Sequence, residues 1–365
     1  MENLIYKIGI GLIPKIGDVT AKKLIAYCGG VDAVFQDNKA ALKKIPGINT
    51  AILNEIANQT VLSKAEKEIK FIEKNNIKPL FYLDENYPTR LKHCNDGPIM
   101  LYYQGNANLN TKKVLAVVGT RRSTDYGKIM CEEVVSQMAS LDVLIVSGLA
   151  YGIDICAHKS AIHNDLPTVG VLGHGLDKLY PAEHRKVADQ MIENGGLLTE
   201  FMSESRFEKE NFPKRNRIIA GMADATLVVE AAAKGGALIT AEIANSYNRD
   251  VFAFPGRASD TYSKGCNFLI KTNRAALAES GADIIYLMDW MEKTSKKKTI
   301  QQQLFVELTE EEQLIKDILL QQEHIAIDSL AIKCNLPVSR VSAMLLNMEF
   351  VGVVRTLPGK IYQLV

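Results

Sequence analysis

The fold is decided by the stretch "VLAVVGTRRSTDYGKIMCEEVVSQMASLDVLIVSG", which runs from Val114 to Gly148. Two short apolar runs, VLAVVG and VLIVSG, flank a segment with the composition of an amphipathic helix. Short apolar runs rich in β-branched residues are typical of buried strands, and a helix between two of them is the unit of a parallel sheet. The stretch therefore predicts a strand–helix–strand unit whose first strand ends in the turn GTRRSTDYG.

The same alternation extends on both sides of this unit, from about residue 76 to residue 290. Four further strand-like runs are TVGVLG (168–173), GLLTEF (196–201), ATLVVEA (225–231) and DVFAFPG (250–256). We therefore predict an α/β fold built on an extended, Rossmann-like, doubly wound and mainly parallel sheet. In such a sheet, ligands bind beyond the carboxyl ends of the strands. The segment FYLDENYPTRLKHCNDGPIMLYYQG before the first run reads as an extension that caps this domain.

Residues 1–75 are predicted to form a separate helical domain with a weak internal repeat. IPKIGDVTAKKLI (13–25) and IPGINTAILNEI (45–56) each begin with Ile-Pro and continue as a helix. They resemble tandem helix-hairpin-helix units, which either bring backbone N–H groups to a DNA phosphate or serve as packing modules. We favour packing, because Val19 and Ala51 occupy the positions of the second hairpin glycine.

Residues 291–305 form a polar, lysine-bearing linker, and residues 306–365 have the pattern of a winged helix. Thr309 and Glu312 have the spacing of a capping box, and Pro358-Gly359 marks the turn of a terminal hairpin. Its third helix carries a single basic residue, Arg340. We therefore favour an interaction or auxiliary role for this domain over direct DNA binding.

Composition excludes several classes of protein. The net charge of +1 hides any local clustering, and the six cysteines form neither a CxxC motif nor a Cys/His pair at zinc-ligand spacing. The first residues lack the pattern of a signal peptide, and no apolar run approaches the roughly 20 residues of a membrane span. We expect a soluble cytoplasmic protein with reduced thiols.

The motifs of common enzymes are absent from the sequence. A dinucleotide-binding GxGxxG would need glycine where Arg121 and Thr124 stand, no Walker A motif occurs, and no GxSxG elbow surrounds Ser147. The histidines are not arranged as a metal site. We therefore predict no catalytic residues, no metal, no cofactor and no enzymatic activity.

Basic and glycine-rich motifs follow most of the predicted strands, and parallel strands would align them along one edge of the sheet. The residues concerned are Arg121, Arg122, Lys214, Arg215, Arg217, Lys234, Lys264 and Asn267, with the glycine pair Gly235 and Gly236. Several separate phosphate-sized sites on one rim suit a polyanion better than a small cofactor. Phe201, Phe212 and Tyr180 are placed either to stack on bases or to fill the core.

These motifs, in this order and spacing, resemble the DNA-processing protein A (DprA, or Smf) family over the whole chain. The most specific are SGLAYGIDICAH, NFPKRNRIIAG, GGALITAEIA and FAFPG followed by GCNFLI. The resemblance implies a helical domain of sterile-alpha-motif type, an extended Rossmann domain and a winged helix. It places the DNA-binding pocket at Gly119, Arg121, Ser123, Lys214, Arg215 and Arg217, which we extend to Gly235, Lys264 and Asn267. With the neighbouring Thr120, Arg122, Asn216 and Gly236, these residues form the predicted DNA-binding site.

The resemblance also implies a function and partners. Family members bind incoming single-stranded DNA in the bacterial cytoplasm during natural transformation (competence), protect it, and load the RecA recombinase for homologous recombination. They act as homodimers through the Rossmann domain, for which we take the segment 268–280 with Phe268, Leu269 and Leu277 as the candidate surface. The alternative is an enzyme of the nucleotide phosphoribohydrolase type, because GGALITAE superficially resembles the PGGxGTxxE motif.

Overall fold

The computed structural model describes residues 2–36, 42, 43, 45, 47–58, 60–291, 308–322 and 324–365. The predicted linker lies outside these residues except for Met291, as does Pro46 of the second hairpin. Three regions follow one another: a helical region, a large α/β domain and a small winged helix. Within the described residues no helix is both long and apolar enough to cross a bilayer.

The described N-terminal region is helical, and its core continues into the next domain. Its helices are α1 (Glu2–Gly11), α2 (Asp18–Cys28), α3 (Ala33–Gln36), α4 (Thr50–Asn58) and α5 (Thr60–Lys74). Their buried side chains form one cluster with Phe81 and Met100 of the sheet. Asp18, within the first hairpin unit (13–25), accepts a hydrogen bond from the amide of Ile99 at 2.9 Å. The first hairpin therefore packs against the α/β domain.

The α/β domain is built on one nine-stranded sheet, which confirms the predicted fold class. The strands are β1 (Lys78–Phe81), β2 (Met100–Gly105), β3 (Lys113–Val118), β4 (Val143–Ser147), β5 (Thr168–Val171), β6 (Gly195–Thr199), β7 (Ala225–Val228), β8 (Asp250–Ala253) and β9 (Ala276–Leu277). Their order is β1-β2-β6-β5-β4-β3-β7-β8-β9. Strands β3 to β9 are parallel, whereas β1 and β2 add an antiparallel edge.

Helices cover both faces of this sheet. They are α6 (Thr89–Lys92), α7 (Asp125–Gln137), α8 (Ile153–His163), α9 (Arg185–Glu193), α10 (Asn211–Met222), α11 (Gly236–Ser246), α12 (Lys264–Lys271) and α13 (Gly281–Leu287). Helices α7, α8 and α13 share one core cluster, and α10, α11 and α12 share another. The chain passes from β3 to β4 on one side and returns to β7 on the other, so the crevice of a doubly wound sheet lies above β3 and β7.

The segment suggested as a dimer surface is only partly exposed. Phe268 and Leu277 are about half exposed, but Leu269 is buried in the core with α10 and α11. Leu269 lies on the inner face of α12, because it stands three residues after the buried Cys266. The prediction that Leu269 is exposed was wrong.

The winged helix has the predicted elements and one further strand. It contains α14 (Glu310–Gln321), β10 (Ile325–Ala326), α15 (Ile327–Cys334), α16 (Val338–Phe350), β11 (Val354–Leu357) and β12 (Ile361–Leu364). The capping box is formed, since Thr309 and Glu312 bond each other's backbone amides.

The turn of the wing is docked against the α/β domain. The Gly359 amide donates to the Asn248 carbonyl at 3.0 Å, and the buried Arg249 donates to the Pro358 carbonyl at 2.8 Å. On α16, Arg340 is paired with Glu311 at 2.8 Å. The tip of the wing and the basic residue of the third helix thus both have partners within the chain.

Candidate functional site

The loops that follow the parallel strands meet at one edge of the sheet, above the crevice between β3 and β7. The Thr120 amide donates to the Glu230 carbonyl at 2.8 Å, which joins the loop after β3 to the loop after β7. The Arg121 guanidinium lies 5.7 Å from the ring centroid of Phe212 on α10. The Asn216 side chain of α10 donates to the Gly236 carbonyl at 3.3 Å. The structure therefore brings together the predicted residues of three separate motifs; we call this edge the rim.

The turn after β3 does not offer an open anion site at the start of α7. The Glu230 carboxylate occupies that position, accepting hydrogen bonds from the Thr124 amide at 2.9 Å and the Thr124 hydroxyl at 2.5 Å. A Cβ on Gly127 would collide with the same carboxylate. The positive end of α7 is thus neutralised by the chain itself, contrary to our expectation of a phosphate nest. Arg121 and Arg122 remain exposed beside it.

Arg215 points into the protein rather than towards a ligand. Its side chain is buried and donates to the carbonyl of Gly148 at 2.7 Å and to that of Val171. Both Arg215 and the Asp154 carboxylate lie against Gly148, where an added Cβ would collide with them. Burial lowers the pKa of Arg215 to about 10, and the Asp154 carboxylate opposes that shift. Burial likewise raises the pKa of Asp154, against the influence of Arg215.

Helical spacing explains the burial of Arg215 and is the signal that could have revealed it. Ile218, Ile219 and Met222 stand three, four and seven residues after Arg215, and all are buried. Arg215 is therefore on the inner face of α10. The prediction that Arg215 contacts DNA is not supported by this geometry, and we assign it to positioning the loops after β4 and β5.

Arg217 is also engaged within the fold. It forms ion pairs with Asp18 of the helical region at 3.0 Å and with Glu200 after β6, and it donates to the Asp96 carbonyl. Burial alone would lower the pKa of Arg217, but the Glu200 and Asp18 carboxylates raise it above its ordinary value. This guanidinium joins the helical region to α10 and is not directed at a ligand, which again departs from our prediction.

Lys214, Asn216 and the glycine pair lie at the surface of the rim or directly beneath it. The Lys214 side chain is exposed, with no hydrogen bond or ion pair among the described residues. Asn216 is buried, and its bond to Gly236 holds α10 against the first turn of α11. Gly235 and Gly236 are exposed, and a Cβ on Gly235 would meet nothing within 4 Å. The N-terminus of α11 is therefore open to solvent beside Lys234.

The two predicted residues of α12 behave differently from each other. Lys264 is exposed at the start of the helix, next to the loop after β7, because the Gly265 amide donates to the Ala231 carbonyl at 2.8 Å. The Asn267 side chain is occupied: it accepts from the Gly256 amide at 3.1 Å and donates to the Gly256 carbonyl at 2.8 Å. Asn267 thus fixes the turn after β8, and its predicted contact with DNA is not supported.

Aromatic rings form a cluster beside the exposed cations. Tyr180, Phe207 and Phe212 have centroid distances of 5.1, 5.5 and 6.0 Å, and all three pairs are edge-to-face. Tyr180 and Phe207 are almost half exposed. Sequence reasoning missed Phe207 because it lies in an irregular loop with no periodic pattern. Phe201 is half-buried and lies outside this cluster, facing the helical region instead.

The exposed side chains of the rim are suited to binding a ligand that carries phosphates and flat rings. Exposed guanidinium and ammonium groups attract phosphate oxygens, and the neighbouring rings offer flat apolar faces. Ser147 is buried and donates to the Val117 carbonyl at 2.6 Å, so its hydroxyl does not face the rim.

Two family models match the chain. The model described as DNA recombination-mediator protein A matches residues 78–289, and the model of the DprA winged helix domain matches residues 306–360. Among curated proteins, the chain is 32% identical to Protein Smf of Synechocystis sp., over 98% of both chains. It is 40% identical to DNA processing protein DprA of Streptococcus pneumoniae, over 56% of this chain and 71% of that protein.

Two solved structures share both fold and sequence with the chain. The X-ray structure of DNA processing protein A from Streptococcus pneumoniae has a TM-score of 0.69 and 33% identity, covering 77% of this chain and 97% of that one. DNA processing protein A from Helicobacter pylori has a TM-score of 0.53 and 29% identity, covering 58% and 94%. The Helicobacter pylori structure concerns the single-stranded DNA binding mode of that protein.

Proposed function

Because the chain belongs to the DNA recombination-mediator protein A family, we propose that it binds single-stranded DNA at the rim, without enzymatic activity. The observation that carries this proposal is the alternation of exposed cations with aromatic faces. Arg121 lies over Phe212, Phe212 packs against Tyr180 and Phe207, and Lys214 follows two residues further along α10. A flexible strand can place phosphates on the cations and unstacked bases on the rings. A duplex keeps its bases stacked inside.

Salt dependence and strand preference test the proposal. We expect log K for a single-stranded oligonucleotide to fall with log[salt] with a slope between about −2 and −4, since each phosphate neutralised contributes roughly −0.7. A duplex of the same length should bind more weakly at every salt concentration. The measurement is fluorescence anisotropy of labelled strands. Equal affinity for both, or a slope near zero, would contradict the proposal.

The aromatic cluster should contribute affinity that salt does not change. Phe207→Leu keeps an apolar side chain at an exposed position but removes a stacking face, so we expect single-strand affinity to fall about 5- to 150-fold with the salt slope unchanged. Tyr286→Leu is the matched control, because Tyr286 is exposed on α13, away from the cluster. A loss with Tyr286→Leu as large as that with Phe207→Leu would contradict a local stacking role.

We further propose that the bound strand is incoming DNA of natural transformation, which the protein protects and passes to the RecA recombinase in the cytoplasm. Family membership supports this step. We propose a homodimer formed by the α/β domain, for which the exposed Phe268 and Leu277 are the candidate contacts. Transfer to RecA is tested by measuring RecA filament formation on strands coated with single-strand-binding protein. The homodimer is tested by comparing the sedimentation of the Phe268→Glu variant with that of the unchanged protein.

The alternative enzymatic function finds less support in the geometry. Glu242, which ends the motif-like GGALITAE, is exposed and paired with Arg274 at 2.8 Å. Incubating the protein with nucleoside monophosphates and assaying for free base separates the two classes. Release of base would overturn the non-enzymatic proposal.

A further inference from the structure

Two cysteines outside the rim are in contact between α7 and α8. Cys131 on α7 and Cys156 on α8 belong to the same core cluster, and a side-chain hydrogen bond joins them. The Cys156 thiol also donates to the carbonyl of Lys128 at 3.7 Å and lies 3.8 Å from Oε1 of Glu132, both on α7. The Ser160 hydroxyl, one turn further along α8, donates to the Glu132 carbonyl at 3.4 Å. Cys156 is thus held against the segment of α7 that contains Cys131.

The two thiols differ in their access to solvent and in their acidity. Cys156 is 8% exposed, whereas Cys131 is completely buried. The hydrogen bond from Cys131 lowers the pKa of Cys156, while burial and the Glu132 carboxylate oppose this shift. The same contact, together with burial, raises the pKa of Cys131. Because the thiolate is the nucleophilic form of cysteine, we expect an oxidant to react with Cys156 first.

The other four cysteines lie in different core clusters. Cys28 packs in the cluster of the helical region and Cys334 in that of the winged helix, while Cys94 and Cys266 share the cluster of α10, α11 and α12. A disulfide needs the Cα atoms of its two cysteines within about 7 Å of each other. Pairing any of these four with Cys131 or Cys156 would therefore require the fold to open.

We propose that Cys131 and Cys156 form a redox modification site, which a peroxide converts into a disulfide between α7 and α8. The Cys156 thiolate attacks one peroxide oxygen, the O–O bond breaks, and a sulfenic acid forms while the other oxygen leaves as hydroxide and takes up a proton. The Cys131 sulfur then attacks the sulfenic sulfur, so that the S–S bond forms, the S–O bond breaks and the hydroxyl leaves as water with the Cys131 proton. In total, two thiols and one hydrogen peroxide give one disulfide and two waters.

The disulfide would join two helices that both begin beside the turn after β3. Thr124 caps α7 by accepting a hydrogen bond from the Gly127 amide at 3.1 Å. At the start of α8, the Ile153 amide donates to the Thr120 carbonyl at 3.2 Å. The thiol pair is therefore connected to the rim through these helices, although neither cysteine is among the predicted DNA-binding residues.

Oxidation of the folded, fully reduced chain with hydrogen peroxide tests the proposal, and the measurement needs no DNA. Peptide mapping, after the remaining thiols are blocked with N-ethylmaleimide, should find the peptides of Cys131 and Cys156 joined. Dithiothreitol should restore both thiols, because it reduces a disulfide but not a sulfinic acid. Cys266→Ser removes a buried cysteine of another cluster, so this matched control should oxidise like the unchanged protein.

Single replacements test the roles of the two thiols. In Cys131→Ser, oxidation of Cys156 should stop at the sulfenic acid, which dimedone traps, and in Cys156→Ser the buried Cys131 should stay reduced under the same exposure. The proposal is overturned if the unchanged protein or Cys266→Ser forms no link between Cys131 and Cys156, or if either thiol links to another cysteine. An unmodified Cys156 in folded Cys131→Ser would overturn it as well. Circular dichroism checks folding, and the unchanged protein decides the matter where a variant does not fold.

Discussion

Replacing Arg121 and Lys214 together by alanine should weaken binding of a single-stranded oligonucleotide at least about 100-fold at about 0.15 M salt. These two cations are exposed at the rim, and neither has an ion pair among the described residues. A hydrogen bond between a charged group and phosphate contributes about 1.5–3 kcal/mol, and two such contacts give an effect of this size. Arg121→Ala also removes the cation from the ring of Phe212.

The control for this experiment is a variant with the same change in net charge outside the rim. Lys159→Ala/Lys186→Ala serves, because both lysines are exposed on α8 and α9, outside the rim. Anisotropy titrations at several salt concentrations should give a slope about 1.4 shallower for the rim variant. A similar loss in the control would mean that the overall field of the protein governs binding. No loss in the rim variant would mean that DNA binds elsewhere.

The architecture of the α/β domain could be predicted because its strands are buried on both faces. Continuous apolar runs such as residues 114–119 and 143–148, when they alternate with helical segments, indicate buried parallel strands. Strands β1 and β2 were not predicted as strands. β1 has only four residues and includes Lys78 and Pro79. Both strands belong to the sheet only through the antiparallel pairing of β2 with β6.

The site was harder to predict because the sequence does not show which basic residues are neutralised by carboxylates elsewhere in the chain. Three basic residues of α10 have three different surroundings: Lys214 is exposed, Arg215 is buried, and Arg217 is paired with Asp18 from 199 positions earlier. Helical spacing distinguishes the exposed Lys214 from the buried Arg215. No local pattern identifies Asp18 or Glu230 as partners, since both pairings depend on contacts between distant segments.

Each side of α10 has a different structural role. Its inner face anchors the loops after β4 and β5 through Arg215, and its flank binds the helical region through Arg217. Its first turn then holds Phe212 beside Arg121 and Lys214 at the surface, on different sides of the helix. Rigid placement of the exposed groups lowers the entropy that the protein loses on binding, so under the proposed function the buried arginines would support binding without touching the ligand.

Arg215→Leu should lower the free energy of unfolding by about 3–5 kcal/mol, because it leaves two buried carbonyls without their donor and the buried Asp154 carboxylate without the nearby cation. The substitution also removes the hydrogen bonds to the carbonyls of Gly148 and Val171. The measurement is the free energy of unfolding obtained from urea denaturation, with circular dichroism as the signal. Arg122→Leu is the matched control, and because Arg122 is exposed its effect should stay within about 0.5 kcal/mol.

A second variant separates the buried charge from simple packing. In Arg215→Leu/Asp154→Leu both charges are gone, so no carboxylate remains buried alone, and the double variant should be more stable than Arg215→Leu. If Arg215 were instead a surface ligand, its single replacement would cost less than about 1 kcal/mol and affect DNA affinity alone. A large loss of stability that Asp154→Leu does not relieve would show that Arg215 acts through the two carbonyls rather than through its charge beside Asp154.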